Sequence, residues 1–481
     1  MAVSAISAML ICRLFSLAAV SAFFLASGVA CLVLLGREWR QLRLSGQKWN
    51  LGYRPLGGAA LIFAIGWIIV VVLLLIDLQR GHDLYVSVVI LDHSARVNWI
   101  ESILRTGVPP RNSLYYYERP ATMRNYYFWY VICADVSRMA HLPVRTVLNA
   151  SCVWAGFALA ALNGLYLKHF LGSGSRLRRQ FLYSILLLTV TGLDICVILW
   201  EIFYLRLPPQ PDAELWSRGA ILSWLDVLLY APHHVVSLVC CMLAFLLAWM
   251  SKGKNGEHKQ FATVSLIALA LASAFGLSIY LLFAFFLLML AWGLWQIAIE
   301  RTSRSALLLA AGGVGATFLL LPYLWELSRA SSGMHAGSPF GFAIREMIPV
   351  DGLLASHVFQ HLAASHPLGA LNLARLVLLI PSYVIELGFY LIVLLIYLVP
   401  AWRGRPLTPA QRSLIFIAVA MIPFITFMRS WVLTIDDFGM RAPLLLQFPL
   451  LLLGSELMVR WNCNDHKRSA PDACGSLLRS T

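Results

Sequence analysis

The chain has 481 residues, of which 60% are hydrophobic and only 12% are charged, and its mean hydropathy is +0.75. This composition excludes a soluble globular protein. The formal net charge of +14 comes without a basic patch that interleaves with aromatic residues on a soluble domain, so no nucleic acid is expected as a partner. The chain is expected to lie in a lipid bilayer, which is therefore its first expected partner.

Long apolar runs recur along the whole sequence, separated by short polar segments. Backbone groups within a bilayer must be satisfied inside the segment, and these runs are continuous rather than alternating, which favours helices over a barrel. We therefore predict an all-α polytopic transmembrane bundle of about eleven spans, each long enough to cross a hydrocarbon core of about 30 Å. The predicted spans are 8–35, 57–78, 144–167, 181–199, 223–249, 262–279, 280–299, 305–327, 372–400, 413–430 and 441–459.

Two of these regions allow an alternative interpretation. The apolar stretch at 8–35 could be a cleaved signal peptide, although its length and the Gly36-Arg-Glu-Trp-Arg40 that follows favour a retained span. The apolar run 261–299 could be one long helix. Lysine and arginine on both sides of it favour two helices that are broken near Gly276.

The basic residues predict the orientation of the chain. The lysines and many of the arginines fall in short polar segments, and placing these in the cytoplasm satisfies the positive-inside rule. We expect a transmembrane domain at 1–461 and a polar cytoplasmic tail at 462–481. The polar segments 79–143, 200–222, 328–371 and 431–440 then share the extracytoplasmic side.

The first of these segments holds the strongest candidates for chemistry. Asp83 and Asp92 stand just outside a span, beside His93 and several arginines. A carboxylate in this setting can act as a general base, or it can hold a divalent metal, Mg or Mn, against a phosphate. Pairing of either aspartate with a neighbouring arginine is the simpler interpretation, and the residues alone leave both open.

The same loop carries arginines but no lysine, on the side where positive charge is disfavoured. Guanidinium groups bind phosphate in a bidentate manner and stay charged, so Arg96, Arg111 and Arg124 are predicted to bind a lipid-linked phosphate. Pairing with acids and lipid headgroups is an equal alternative. Tyr126 and Tyr127 could offer faces on which a sugar stacks.

Two stretches of this loop are expected to be amphipathic interfacial helices. The stretch 92–106 places apolar side chains on one helical stripe, and Gly107 with the prolines after it should end that helix. The stretch 126–142 also carries apolar residues near helical spacing.

Two further polar motifs lie at the predicted outer ends of spans. His233 and His234 are adjacent, so their rings point in different directions on a helix, and one of them could donate a hydrogen bond or carry a proton. Asp437 and Arg441 could close a cavity opposite the first loop, or they could neutralise one another.

Several motifs of the first loop occur together in one order. They are Asp92-His93 with Arg96, the turn Gly107-Val-Pro-Pro-Arg-Asn112, and Asn125-Tyr-Tyr-Phe-Trp-Tyr130 followed by His141-Leu-Pro. This order resembles bacterial membrane glycosyltransferases of the C-type fold (GT-C). The resemblance implies transfer of a sugar from a polyprenyl-phosphate donor to a glycan, lipid or protein acceptor. It also implies an active site on the extracytoplasmic side of the bacterial inner membrane.

In that superfamily an acidic residue of the first outer loop is catalytic, and some members use a divalent metal. By position, the resemblance makes Asp92 the first candidate and Asp83 the second. The sequence departs from the family pattern because its first polar loop follows the second predicted span and contains neither Asp-x-Asp nor Glu-Asp. The identity of the base and of any metal ligand therefore stays open.

Other functions compatible with the sequence are a glycan polymerase or ligase, which is chemically close, and a transporter or flippase of lipid-linked glycans, which performs no chemistry. Transporters typically carry charges near the middle of their spans and have paired broken helices. In this chain most acidic residues lie at predicted outer ends of helices, which favours an enzyme.

Overall fold

A computed structural model of the chain describes residues 4–44, 54–90, 92–112, 122–123, 126–190, 192–206, 220–251, 257–330, 340–402, 407–430 and 436–469. Helices dominate these residues, and the strands among them form two short antiparallel pairs. The helices are α1 (Ser4–Leu14), α2 (Leu17–Leu44), α3 (Arg54–Leu75), α4 (His93–Thr106), α5 (Phe128–Ala140), α6 (Val144–Leu165), α7 (Leu177–Leu186), α8 (Asp194–Phe203), α9 (Trp224–Tyr230), α10 (Pro232–Met250), α11 (Glu257–Leu277), α12 (Ile279–Ala298), α13 (Arg304–Ala330), α14 (Asp351–Leu354), α15 (His357–Ser365), α16 (Pro367–Leu387), α17 (Phe389–Trp402), α18 (Pro409–Phe427), α19 (Asp437–Arg441) and α20 (Leu444–Ser469). The strands are β1 (Leu78–Arg80), β2 (Asp83–Tyr85), β3 (Phe340–Phe342) and β4 (Met428–Ser430), with β1 paired to β2 and β3 to β4.

Ten of the described helices are long and apolar enough to cross a membrane. The chain is therefore an integral, multi-pass membrane protein, and the predicted all-α polytopic fold is confirmed. The apolar run 261–299 forms two helices, as predicted, and Ser278 separates them.

Several predicted spans are divided into shorter helices. The stretch 181–199 is split between α7 and α8, neither of which is long enough to cross the bilayer by itself. The stretch 223–249 is interrupted before Pro232, because proline fits the first turn of a helix but cannot continue the preceding one. The stretch 372–400 is interrupted at Gly388, whose φ of +46° ends α16.

The chain divides into two compact units. The first contains Met1–Leu162, Asp226–Leu282 and Gln296–His335, and the second contains Asn163–Leu225, Phe283–Trp295 and Ala336–Thr481. Within the first unit, α11 packs against α10, α13 and α1, and α5 packs against α1, α2 and α4. Within the second unit, α20 is the central helix and packs against α7, α17 and α18. Most of the predicted tail, 470–481, lies outside the described residues.

The two helices predicted in the first loop are present as α4 and α5, and Gly107 follows the end of α4 as expected. They differ in burial. Helix α4 buries one face, on which His93 and Arg96 continue the apolar stripe of Ile100 and Ile103. Helix α5 is instead buried on most of its surface within the first unit. The hydrophobic spacing of α5 therefore reflects packing inside the protein.

Close packing of α5 against α11 depends on a glycine. A Cβ atom added at Gly276 would lie 1.8 Å from Cδ2 of Phe128. We expect Gly276→Ala to destabilise the protein by about 1–3 kcal/mol, because the ring of Phe128 would have to move within a packed core. Thermal unfolding of the purified protein in detergent measures this loss.

The matched control is Gly313→Ala in α13, because no heavy atom lies within 4 Å of a Cβ added there. Alanine at that position should be neutral or stabilising, since it favours the helix over glycine. Equal midpoints of thermal unfolding for the two variants would contradict the packing argument.

Candidate functional site

The start of α4 and the end of α9 are joined through two consecutive residues on each side. The hydroxyl of Tyr230 donates a hydrogen bond to Oδ2 of Asp92. Next to this contact, Nε2 of His93 lies 3.1 Å from the carbonyl oxygen of Leu229. These paired contacts connect residues 138 and 136 positions apart in the sequence and place the Asp92 carboxylate within the first unit.

The hydrogen bond to Leu229 determines the protonation of His93. A carbonyl oxygen only accepts hydrogen bonds, so Nε2 of His93 must carry the proton and Nδ1 must be the unprotonated nitrogen. Burial, followed by the nearby charge of Arg96, lowers the pKa of His93 to about 4. His93 is therefore neutral near pH 7. Its hydrogen bond to the carbonyl oxygen of Leu229 connects the start of α4 to the end of α9.

This low pKa predicts how stability depends on pH. The ordinary histidine pKa of 6.5 applies to the unfolded chain, whereas the folded value is about 4. The unfolded chain therefore binds more protons between these values, so the His93 contribution to stability is complete above pH 6.5. We expect it to fall by up to about 3 kcal/mol as the pH drops to 4.

The measurement is thermal unfolding in detergent at pH values from 7.5 to 4.5, for the wild type and for His93→Gln. The two proteins differ only at position 93, so the difference between their stabilities reports on His93. The wild type should lose more stability than the variant as the pH falls. A difference between the two proteins that stays constant with pH would contradict the assignment.

Arg96 brings a buried positive charge next to Asp92. Its side chain lies one turn further along α4, and the residue is only 4% exposed. Nη2 of Arg96 is 3.6 Å from Oδ2 of Asp92, and Cζ lies 4.5 Å from the centroid of the Tyr230 ring, which receives the cation on its face. Nη1 is buried and has no hydrogen-bond partner among the described residues. That donor suits an anionic oxygen of a ligand.

The aromatic residues at the start of α5 form a second wall of this cluster. The ring of Tyr126 lies 5.1 Å from that of His233 and 5.4 Å from that of His234. Tyr130 packs edge to face on Trp99, with ring centroids 5.2 Å apart. Burial raises the pKa of Tyr130, so its hydroxyl stays protonated, and within the described part of the chain that hydroxyl has no hydrogen-bond partner.

The two histidines are buried at the start of α10 and have different neighbours, as adjacent residues on a helix should. Nδ1 of His234 lies 2.8 Å from Oγ of Ser278, at the break between α11 and α12. The ring of His233 instead lies between those of Tyr126 and Tyr130. Their rings are 4.2 Å apart, so both contribute to the same wall.

Asp83, Arg111 and Tyr127 have other surroundings than Asp92. Asp83 is exposed on β2, opposite Arg80 in the β1–β2 hairpin, and no hydrogen bond or ion pair in the described ranges joins it to Asp92. The side chain of Arg111 is exposed. Arg124 lies outside the described residues. Tyr127 is buried and donates a hydrogen bond of 3.2 Å to Oε2 of Glu326.

Asp437 and Arg441 belong to the second unit and are both buried. Nη2 of Arg441 is 3.8 Å from Oδ1 of Asp437, one helical turn away. This ion pair corresponds to the alternative in which the two residues neutralise one another. The neighbouring Asp436 caps α19 by accepting a hydrogen bond of 3.1 Å from the backbone N–H of Gly439.

Among the described residues, the neighbours of Asp92 do not form a typical ligand set for a divalent metal. Such ions take several oxygen ligands, whereas the charged neighbour of Asp92 is the guanidinium of Arg96. Asp83, the other predicted ligand, is held in the exposed hairpin. The described residues contain no group of three His, Cys, Asp or Glu side chains that could hold a metal ion.

Sequence reasoning did not select Tyr230 or Trp99 as members of the site. Tyr230 stands four residues before His234, but a tyrosine at the end of an apolar helix carries no signal of a carboxylate partner far away in the sequence. Trp99 has the spacing of an ordinary core residue.

Comparisons with known proteins do not assign the chain to a family. No protein-family model, no curated protein and no solved structure matches the chain.

Proposed function

We propose that this protein is a membrane glycosyltransferase that moves a sugar from a polyprenyl-phosphate donor to a hydroxyl group of a glycan, lipid or protein acceptor. One observation carries the proposal: the 51% exposed carboxylate of Asp92 lies beside the buried guanidinium of Arg96. Sugar transfer from a phosphate requires a base for the acceptor and a cation for the departing phosphate. This pair supplies both within 3.6 Å.

The reaction follows as a single displacement with inversion at the anomeric carbon. The acceptor oxygen attacks this carbon and forms the new glycosidic bond, while Asp92 takes the proton of the acceptor hydroxyl. The bond between the anomeric carbon and the phosphate oxygen breaks, and its electron pair leaves with polyprenyl phosphate. Arg96 stabilises the negative charge that develops there.

The surrounding tyrosines support the same reaction. The hydroxyl of Tyr230 donates a hydrogen bond to Asp92 and orients its carboxylate. The buried hydroxyl of Tyr130 offers a further neutral donor to a phosphate or sugar oxygen. The ring of Tyr126, which is half-buried against His233, suits stacking of a sugar ring.

The membrane supplies the donor. A polyprenyl chain is confined to the bilayer, and the ten membrane-length helices place the protein in the same phase. The distribution of lysine and arginine favours the extracytoplasmic side for the first loop, and the family resemblance implies that the membrane is a bacterial inner membrane.

The test is a transfer assay with the purified protein in liposomes and a panel of radiolabelled polyprenyl-phosphate sugars. We expect release of polyprenyl phosphate and transfer of label to an acceptor from at least one donor. Growth of a repeating product would instead indicate a polymerase or ligase. Substrate-dependent flux across the vesicle membrane without turnover of any donor would instead indicate a transporter or flippase.

A further inference from the structure

Helix α1 is an internal part of the first unit although it is short and apolar. Its 11 residues extend over about 16 Å, roughly half the thickness of a hydrocarbon core. Ala5, Ile6, Ala8 and Met9 are nearly completely buried, and α1 packs against α5 and α11. The backbone N–H of Ile6 donates a hydrogen bond of 3.2 Å to Oγ of Ser273 in α11, which fixes the helix at its beginning.

The other end of α1 carries an ion pair in largely buried surroundings. Nη1 of Arg13 lies 2.8 Å from Oε2 of Glu326, near the end of α13. Removing both charges from water costs several kcal/mol per ion, so such a pair is weak evidence for added stability. The second oxygen of Glu326 is buried without a hydrogen-bond partner in the part of the chain that the structure describes, so part of that cost stays uncompensated.

The same carboxylate oxygen holds a residue next to the candidate site. The hydroxyl of Tyr127 donates to Oε2 of Glu326 over 3.2 Å, so Arg13 and Tyr127 share one acceptor atom. The carbonyl oxygen of Tyr127 then accepts hydrogen bonds from the backbone N–H groups of Tyr130 and Val131, at 3.0 and 3.2 Å, in the first turn of α5. Tyr127 therefore links the ion pair to the segment that carries Tyr126 and Tyr130.

We infer that Arg13 is a positioning residue of the candidate site, which it reaches through Glu326 and Tyr127. Its charge fixes the Glu326 carboxylate, the carboxylate fixes Tyr127, and Tyr127 sets the place of Tyr126 against the two histidines. In its catalytic consequence this inference rests on the proposed function. A change at Arg13 should then alter the turnover of bound donor without removing any group that touches it.

The experiment compares Arg13→Gln, Tyr127→Phe and the double variant. Each single variant breaks the chain of contacts at one place, and Tyr127→Phe does so without leaving a charge unpaired. We expect each to lower kcat about 10- to 100-fold with little change in KM for the polyprenyl-phosphate sugar, as misplacement of a catalytic geometry does. The double variant should lose no more than the larger single loss, because both act through one path.

The matched control is Arg375→Gln. Nη2 of Arg375 lies 2.9 Å from Oε2 of Glu346, an acid as deeply buried as Glu326, but this pair belongs to the second unit. The Arg375→Gln variant should lose thermal stability to a similar degree as Arg13→Gln while retaining the wild-type kcat. Equal kcat values for Arg13→Gln, Tyr127→Phe and this control would overturn the inference and leave Arg13 with a structural role.

A second readout does not depend on activity. Hydrogen exchange of the backbone amides of Tyr130 and Val131 reports their bonds to the Tyr127 carbonyl. Arg13→Gln should accelerate this exchange at least 10-fold relative to Arg375→Gln, and unchanged exchange would overturn the inference. If the wild type transfers no sugar from any donor, the proposed function fails, while the exchange rates still decide whether Arg13 holds Tyr127.

Discussion

Replacing Asp92 by asparagine should lower the rate of sugar transfer by about 10²- to 10⁴-fold, the usual contribution of a general base. Asparagine has the same shape and keeps an oxygen that can accept the hydrogen bond from Tyr230, but it cannot take a proton. Thermal stability and membrane insertion should therefore change little. Initial rates measured at saturating donor, together with a melting curve, separate the chemical effect from misfolding.

Asp83→Asn is the matched control for this variant. The same substitution is made in the same loop, but Asp83 lies on the exposed strand β2, opposite Arg80. Its transfer rate should stay within about twofold of the wild type, because the side chain of Asp83 is exposed and, among the described residues, no hydrogen bond or ion pair joins it to Asp92. If Asp92→Asn is fully active, Asp92 is not the base. Loss of activity in Asp83→Asn alone would reverse the assignment of the two aspartates.

Replacing Arg96 by glutamine should lower the rate about 10²- to 10³-fold, since it removes the cation that stabilises the leaving phosphate. Lysine at this position keeps the charge but loses the planar fork that lies over the ring of Tyr230, so Arg96→Lys should recover only part of the rate. Both variants should also bind polyprenyl phosphate more weakly. Transfer kinetics and direct binding of polyprenyl phosphate in detergent measure the two effects.

Arg105→Gln provides the comparison on the same helix. Arg105 is 79% exposed and pairs loosely with Glu101, at 3.8 Å, on the outer surface of α4. Its removal should affect neither transfer nor binding. Equal losses of polyprenyl phosphate affinity in Arg96→Gln and Arg105→Gln would mean that phosphate binding depends on the overall charge of the loop and not on the buried guanidinium.

Local pattern predicted much of the helix that carries the site. The apolar spacing of 92–106 and the glycine after it predict α4 and its end, because both are properties of a short stretch of chain. The i, i+4 spacing of Asp92 and Arg96 likewise places the acid and the cation on one side of that helix.

The partners of these residues could not be predicted in the same way. Tyr230 reaches Asp92 only because α9 packs beside the start of α4, and a contact over 138 positions leaves no periodic trace in a single sequence. The burial of Arg96 was hidden for a related reason. Its charge predicts an exposed position, and the ring of Tyr230 that receives it comes from elsewhere in the chain.

Hydropathy predicted most of the membrane-length segments. It did not predict where several of them are interrupted. A window average over many apolar residues does not register one residue with unusual backbone geometry. Gly388 ends α16 through a positive φ, and the chain between α1 and α2 breaks at Phe15 and Ser16 although its flanks are apolar. Such breaks are set by a few backbone angles, which hydropathy does not measure.

The paired contacts of Asp92 with Tyr230 and of His93 with Leu229 have a mechanical consequence. Two attachments side by side resist rotation, so the start of α4 and the end of α9 must move as one body. Ala231 alone separates α9 from α10. A force on the Asp92 carboxylate is therefore transmitted through Tyr230 and Ala231 to the first turn of α10, where His233 lies.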